Sequence, residues 1–191
     1  MSRIITFGCS TTQGEGLEFP NLETWGYHLS TYMGMEHLNL GIAGASNKLI
    51  SYTINNFIYQ PNDIVFILWC NVNRYTILKS EGEYNKIYPL SESKESVLYY
   101  KHFHYDVDQI FMNKAFTSHA IQNLESNGVK YYQLFFNKEL EEFVDCKKNI
   151  IPVYLSYFSK KYPLAIDKLH MGKEGNEEYA KKIYNYISNL L

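Results

Sequence analysis

Five runs of apolar residues, each bounded by turn-forming residues, punctuate the chain: "RIITFG", "EHLNLG", "DIVFILWCN", "VKYYQLFFN" and, less sharply, the stretch around "NIIPVY". The third is almost continuously apolar, as a strand covered on both faces must be. Between the runs, apolar residues recur at helical spacing from Glu23 to Met33, from Asn47 to Tyr59 and, at greater length, from Val97 to Asn127. The final segment, "KEGNEEYAKKIYNYISNLL", sets Tyr179, Ile183, Ile187 and Leu190 on one side and Lys or Glu on the other. Strands alternating with helices predict an α/β fold, a three-layer αβα sandwich around a mostly parallel, five-stranded sheet. No repeat, low-complexity tract or proline-rich linker divides the 191 residues, so one domain, 1–191, is expected.

In a parallel sheet the ligand crevice lies beyond the carboxyl ends of the strands. That rule singles out four loops: those after "RIITFG", "EHLNLG" and "DIVFILW", and the one before the last helix. Composition narrows what they can do. Net charge is −2 and no long basic run occurs, which argues against a nucleic-acid groove or a membrane-surface patch. Cys9, Cys70 and Cys146 are few, odd in number and far apart, unlike a disulfide framework or a zinc site. The N-terminal "MSRIITFGCS" has too short an apolar core for a signal peptide, and "IVFILWC" is too short to span a bilayer. The expectation is a soluble protein of a reducing compartment, the cytoplasm.

The four loops hold a coherent set of polar residues. Ser10 follows the first strand by two residues, with Gly8 before it to permit a tight turn. Gly44, Ser46 and Asn47 follow the second strand, Asn71 and Asn73 the third, and Asp167 and His170 precede the last helix. A serine is a poor nucleophile without a base in hydrogen-bond reach, itself oriented by a third group. A spacing of three lets Asp167 fold back on the ring of His170, holding one nitrogen protonated and leaving the other to accept the serine proton. The backbone N–H groups of Ser10 and Gly44, with the side-chain amide of Asn71, suit the role of oxyanion donors.

These stretches, in this order, resemble the GDSL/SGNH hydrolase family. The matching residues are Gly8-Cys9-Ser10, Gly44 of "GIAGASN", Asn71 of "WCNV", and Asp167-Lys168-Leu169-His170. The resemblance implies the flavodoxin-like SGNH fold, Ser10 as nucleophile, His170 as base and Asp167 as its orienting partner. It implies an oxyanion hole of Ser10, Gly44 and Asn71, and hydrolysis of esters or thioesters, often deacetylation of sugars, without metal or cofactor. The partner implied is a small-molecule or glycan acyl ester. Cys9 stands where the family has aspartate, Trp69 where it has glycine, Val72 where it has a second aspartate, and Met171 where proline is common.

Other readings stay open at this level. Ser10 is also what a turn or helix cap uses, and Asp167 with His170 could simply cap the last helix. Cys9 is a second candidate nucleophile, and Asn73 could replace Asn71. "GCSTTQGEG" lacks the Lys-Ser/Thr of a phosphate loop, and "GIAG" lacks the full dinucleotide fingerprint, which disfavours a flavodoxin-like nucleotide binder. "HFHYDVD" offers His102, His104, Asp106 and Asp108 at alternate positions, but a helix would scatter them about its axis and defeat metal binding. Aromatic residues between Trp69 and Tyr88 fit a sugar or acyl pocket as well as core packing. An acyltransferase on the same fold, or a non-catalytic carbohydrate- or partner-binding module, completes the alternatives.

Overall fold

The computed structural model describes residues 2–80, 82–89 and 91–189. Its six strands are β1 (Arg3–Gly8), β2 (Glu36–Gly41), β3 (Ile64–Trp69), β4 (Tyr75–Ser80), β5 (Glu83–Ile87) and β6 (Lys130–Phe135). Four of them form a parallel sheet in the order β2-β1-β3-β6, while β4 and β5 pair as a separate antiparallel hairpin. The helices are α1 (Ser10–Gln13), α2 (Pro20–Glu23), α3 (Trp25–Met33), α4 (Asn47–Asn55), α5 (Lys94–His102), α6 (Asp106–Ser126), α7 (Leu155–Lys161) and α8 (Lys173–Ser188).

Alternation along the strands divides the core in two. Ile5, Phe7, Val65, Ile67 and Trp69 point to the side covered by α4 and α6, where Leu49, Ile50, Ile54, Ala120, Ile121 and Leu124 meet them. Ile4, Phe66, Leu68 and Leu134 point to the side of α3 and α8, against Trp25, Leu29, Tyr179, Ile183 and Ile187. Burying each such large apolar side chain stabilises the fold by about 1.5–3 kcal/mol, so the sheet ends are held rigidly in place. Tyr179, Ile183 and Ile187 are buried as their spacing requires, whereas Leu190 lies outside the described residues.

Three expectations need correction. The sheet has four strands rather than five: the "NIIPVY" stretch contributes one parallel bridge, Gln133 to Ile150, with the bonds Gln133 N–H to Asn149 O (2.9 Å) and Ile151 N–H to Gln133 O (3.0 Å). Pro152 follows at once and has no N–H to extend the ladder. The segment expected as one helix from Val97 to Asn127 is two, α5 and α6, separated at Phe103–Tyr105. Lys101 and His102 fill the last turn of α5, and Asp106 and Asp108 the first turn of α6, each sign matched to the dipole of its helix end. The motif "HFHYDVD" is therefore a helix stop followed by a helix start. Finally, the β4–β5 hairpin stands where the sequence offered only aromatic residues.

Candidate active site

The sheet's carboxyl edge gathers the four loops. β1 ends at Gly8, where a Cβ would lie 2.1 Å from Thr12 Oγ1, so only glycine lets α1 fold back directly over the strand end. Ser10 opens α1 and is buried, at 4 % exposure. Its Oγ lies 2.8 Å from Nε2 of His170. On the other side of the ring, Nδ1 of His170 lies 2.5 Å from Oδ2 of Asp167.

The Asp167–His170 turn is closed by its own backbone. Ala165 N–H donates to His170 O (2.8 Å), Lys168 N–H to Ala165 O (2.9 Å), and Lys168 takes a left-handed φ of 58° to close the turn. Oδ1 of Asp167 accepts the N–H groups of Leu169 (2.9 Å) and His170 (3.0 Å), which fixes the carboxylate's orientation toward the imidazole. The His170 backbone N–H, then its ring, then the Leu169 N–H hold the Asp167 carboxyl down to about 2. A second carboxylate, Glu15, places Oε2 at 3.7 Å from His170 Nε2.

Ser10 and His170 line a cavity of about 280 Å³ together with Asn71, Arg74, Phe136 and Leu169. Asn71 thus shares the cavity with the serine, its Oδ1 accepting the Asn73 N–H (3.0 Å). Asn73 lines a separate cavity of about 200 Å³ with Asn71, Arg74 and Tyr88. Gly44 sits in the loop after β2 at φ 71°, beside Lys86 and Tyr88, and is not among the residues lining the serine's cavity. Cys9 does line it, with Sγ 4.0 Å from Ser10 Oγ, but the histidine nitrogen faces the serine. Burial pushes the neighbouring Cys70 thiol far up, which keeps it protonated. Among the described residues no three His, Cys, Asp or Glu side chains gather as a metal group. A larger open cavity, about 1230 Å³, lies at the opposite edge of the sheet against Glu36, Asp63 and Lys130, with none of these loops nearby.

Two contributions escaped the sequence. Asn47 caps nothing; its Oδ1 accepts the Cys70 N–H (2.9 Å) and its Nδ2 donates to Cys70 O (3.1 Å) and Asn113 Oδ1 (2.8 Å). Asn113 in turn donates to Val72 O (3.1 Å), so the two amides grip the loop that carries Asn71 from both sides. An asparagine at the first position of a helix gives no sign of such a partner more than twenty residues away. Arg74 was likewise invisible, one basic residue in a loop.

Solved structures of similar shape add to this geometry. A protein described as lipolytic and of the G-D-S-L family, from Desulfitobacterium hafniense DCB-2, superposes with a TM-score of 0.59 at 15 % identity, over 99 % of each chain. The chain has the fold of the G-D-S-L lipolytic proteins. LAE5, an α/β hydrolase from the metagenome of Lake Arreo, Spain, aligns over 100 % of this chain and 96 % of its own at TM-score 0.57 and 13 % identity. A two-domain esterase active on acetylated mannans aligns over 99 % of this chain and 50 % of its own, at TM-score 0.51 and 14 % identity. No family model and no curated protein sequence matches the chain. Among the described residues no helix is long and apolar enough to cross a membrane.

Proposed function

We propose that the protein is a serine hydrolase of carboxylic esters, with Ser10 as nucleophile, His170 as general base and Asp167 as the group that orients it. One observation carries the reading: Oγ of Ser10, both ring nitrogens of His170 and the Asp167 carboxylate form one unbroken line of 2.8 and 2.5 Å contacts. The carboxylate holds Nδ1 as the protonated nitrogen, so Nε2 presents a lone pair to the serine hydroxyl. His170 takes that proton as Oγ attacks the ester carbonyl, and passes it to the departing alkoxide. Water then repeats the sequence on the acyl-enzyme and releases the acid.

The negative charge on the tetrahedral oxygen needs fixed donors. The Ser10 N–H heads α1, where amides have no partner within the helix. Nδ2 of Asn71 supplies a second donor, and the Gly44 N–H a third if substrate reaches over the loop after β2. The mannan-active esterase of the same fold favours an O-acetylated sugar as the small acyl ester, and the 280 Å³ cavity suits a short acyl chain. A salicylyl-acyltransferase from a tetracycline biosynthetic pathway shares the fold at TM-score 0.51 and 13 % identity, aligning over 99 % of this chain and 55 % of its own. An alcohol can therefore compete with water for the acyl-enzyme.

A fluorophosphonate probe followed by peptide mapping tests the reading. Ser10 is expected to carry the label, Ser10→Ala to abolish it and His170→Ala to slow it by at least a hundredfold. Labelling of folded protein elsewhere, or none at all, would overturn the proposal. Added alcohol acceptors then separate hydrolysis from transfer through the ratio of acid to new ester.

A further inference from the structure

Arg74 is the one Lys or Arg side chain that lines the serine's cavity, and among the described residues its charge has no partner. It follows β3 in the loop Cys70–Arg74 and lines both the 280 Å³ cavity of Ser10 and the adjoining 200 Å³ cavity, so the two meet at Arg74 and Asn71. Its Nη1 is buried and makes no hydrogen bond. None of the ion pairs of the described residues includes it. The nearby phenol of Tyr100 is no counter-ion: burial raises it to about 12, and its hydroxyl donates to the Asn73 carbonyl. The acids of the site, Asp167 and Glu15, face His170 instead.

A guanidinium drawn partly out of water without an acceptor is costly, and such groups persist where something else gains from them. Here the gain is a positive field inside a low-dielectric cleft, which concentrates anions and strengthens their binding. The planar fork of arginine matches carboxylate and phosphate oxygens in pairs. We propose that Arg74 forms an anion subsite beside the nucleophile, and that the substrate is an ester whose acyl or alcohol part carries a carboxylate or phosphate. The substrate claim rests on the esterase reading; the anion subsite itself does not.

Two measurements separate them. Isothermal titration with succinate and with inorganic phosphate is run on the unmodified protein, Ser10→Ala, Arg74→Gln and Arg74→Lys. Binding of one anion to the first two proteins, weakened at least tenfold in Arg74→Gln and partly restored in Arg74→Lys, supports the subsite and says which anion it prefers. Absence of anion binding, or equal binding to Arg74→Gln, overturns it. Should Arg74→Gln fail to fold, judged by near-ultraviolet circular dichroism, Arg74→Lys decides alone: it keeps the charge but loses the fork, and unaltered affinity overturns the paired contact.

Turnover is compared within two ester pairs, 4-nitrophenyl hemisuccinate against the butyrate, and 4-acetoxybenzoate against phenyl acetate. A preference in kcat/KM for the charged member of either pair, falling at least tenfold in Arg74→Gln, supports the substrate class and assigns the anion to the acyl or the alcohol side. An unaltered ratio in both pairs overturns the substrate claim while leaving the esterase intact. Arg74-dependent anion binding with no turnover of any ester would keep the subsite and sink the esterase.

Discussion

Gly16 abuts Asp167 so closely that a Cβ at position 16 would lie 2.5 Å from both Cγ and Oδ2 of the carboxylate. The same glycine has φ 81°, and its carbonyl accepts the Ile166 N–H at 3.1 Å, tying the loop after α1 to the histidine turn. Gly16→Ala meets both obstacles: a left-handed backbone that costs about 1–2 kcal/mol for a residue with Cβ, and a carboxylate already fixed by two N–H groups. Stability is expected to fall by about that amount in urea unfolding, and kcat/KM at least tenfold as Asp167 is pushed from the ring. An unaltered rate would mean that the carboxylate's position is immaterial to turnover.

The depressed pKa of Asp167 gives a pH signature. Its folded value of about 2 lies below the ordinary 3.8, so its stabilising contribution is full above about pH 4 and is lost as the pH falls toward 2. Thermal unfolding between pH 5 and pH 2 should show that loss, and Asp167→Asn should remove this part of the slope. Because the carboxylate stays charged throughout the neutral range, it is expected to add no limb of its own to the pH profile of kcat/KM there. Asp167→Asn should lower kcat by about 10²–10⁴, since the amide can leave the wrong ring nitrogen protonated. Near-normal turnover in that variant would remove Asp167 from the mechanism.

Asn47 holds the backbone of Cys70, directly before Asn71, through its side-chain amide. Asn47→Ala strands the N–H and carbonyl of Cys70, at a cost of about 2–3 kcal/mol. It also releases the Asn71 loop. If Asn71 donates to the oxyanion, kcat should fall with little change in KM, and Ser10 should react more slowly with a fluorophosphonate. Lower stability with an unchanged kcat would make the network purely structural.

Gln133 tests the far side of the sheet. It is fully buried, accepts the Trp69 indole N–H (2.9 Å), and donates to the carbonyls of Cys146 (3.0 Å) and Lys148 (2.8 Å). Gln133→Leu keeps the volume but leaves the buried Trp69 indole N–H, and the carbonyls of half-buried Cys146 and exposed Lys148, without this partner, so a loss of about 1–3 kcal/mol is expected in denaturant unfolding. A loss below that range would mean that water or a shift of the Cys146–Lys148 segment takes over these bonds.

The parallel strands and the helices flanking them were legible because burial on both faces writes an unambiguous pattern. That Ser10, His170 and Asp167 come together was legible from the topology, which brings the loop after β1 and the loop before the last helix to the same sheet edge, although each residue alone also fits a turn or cap. The β4–β5 hairpin was hidden by inverted polarity. Thr76 is fully buried and bonded to Ser46 Oγ at 2.7 Å, while Ile77 beside it is 39 % exposed. The fifth strand failed on one residue, Pro152. The division of α5 from α6 was written in charge rather than hydrophobicity, in Lys101 and His102 followed by Asp106 and Asp108.

Ser10 and His170 meet across 160 positions of sequence. In order of synthesis the serine therefore emerges 160 positions ahead of the histidine that lies beside it in the fold. The histidine turn that meets the serine lies in the segment after β6, directly before α8, which packs against α3. On the proposed mechanism, reactivity at Ser10 would therefore report that the histidine turn has docked against the loop after β1, and a fluorophosphonate would time that docking during refolding.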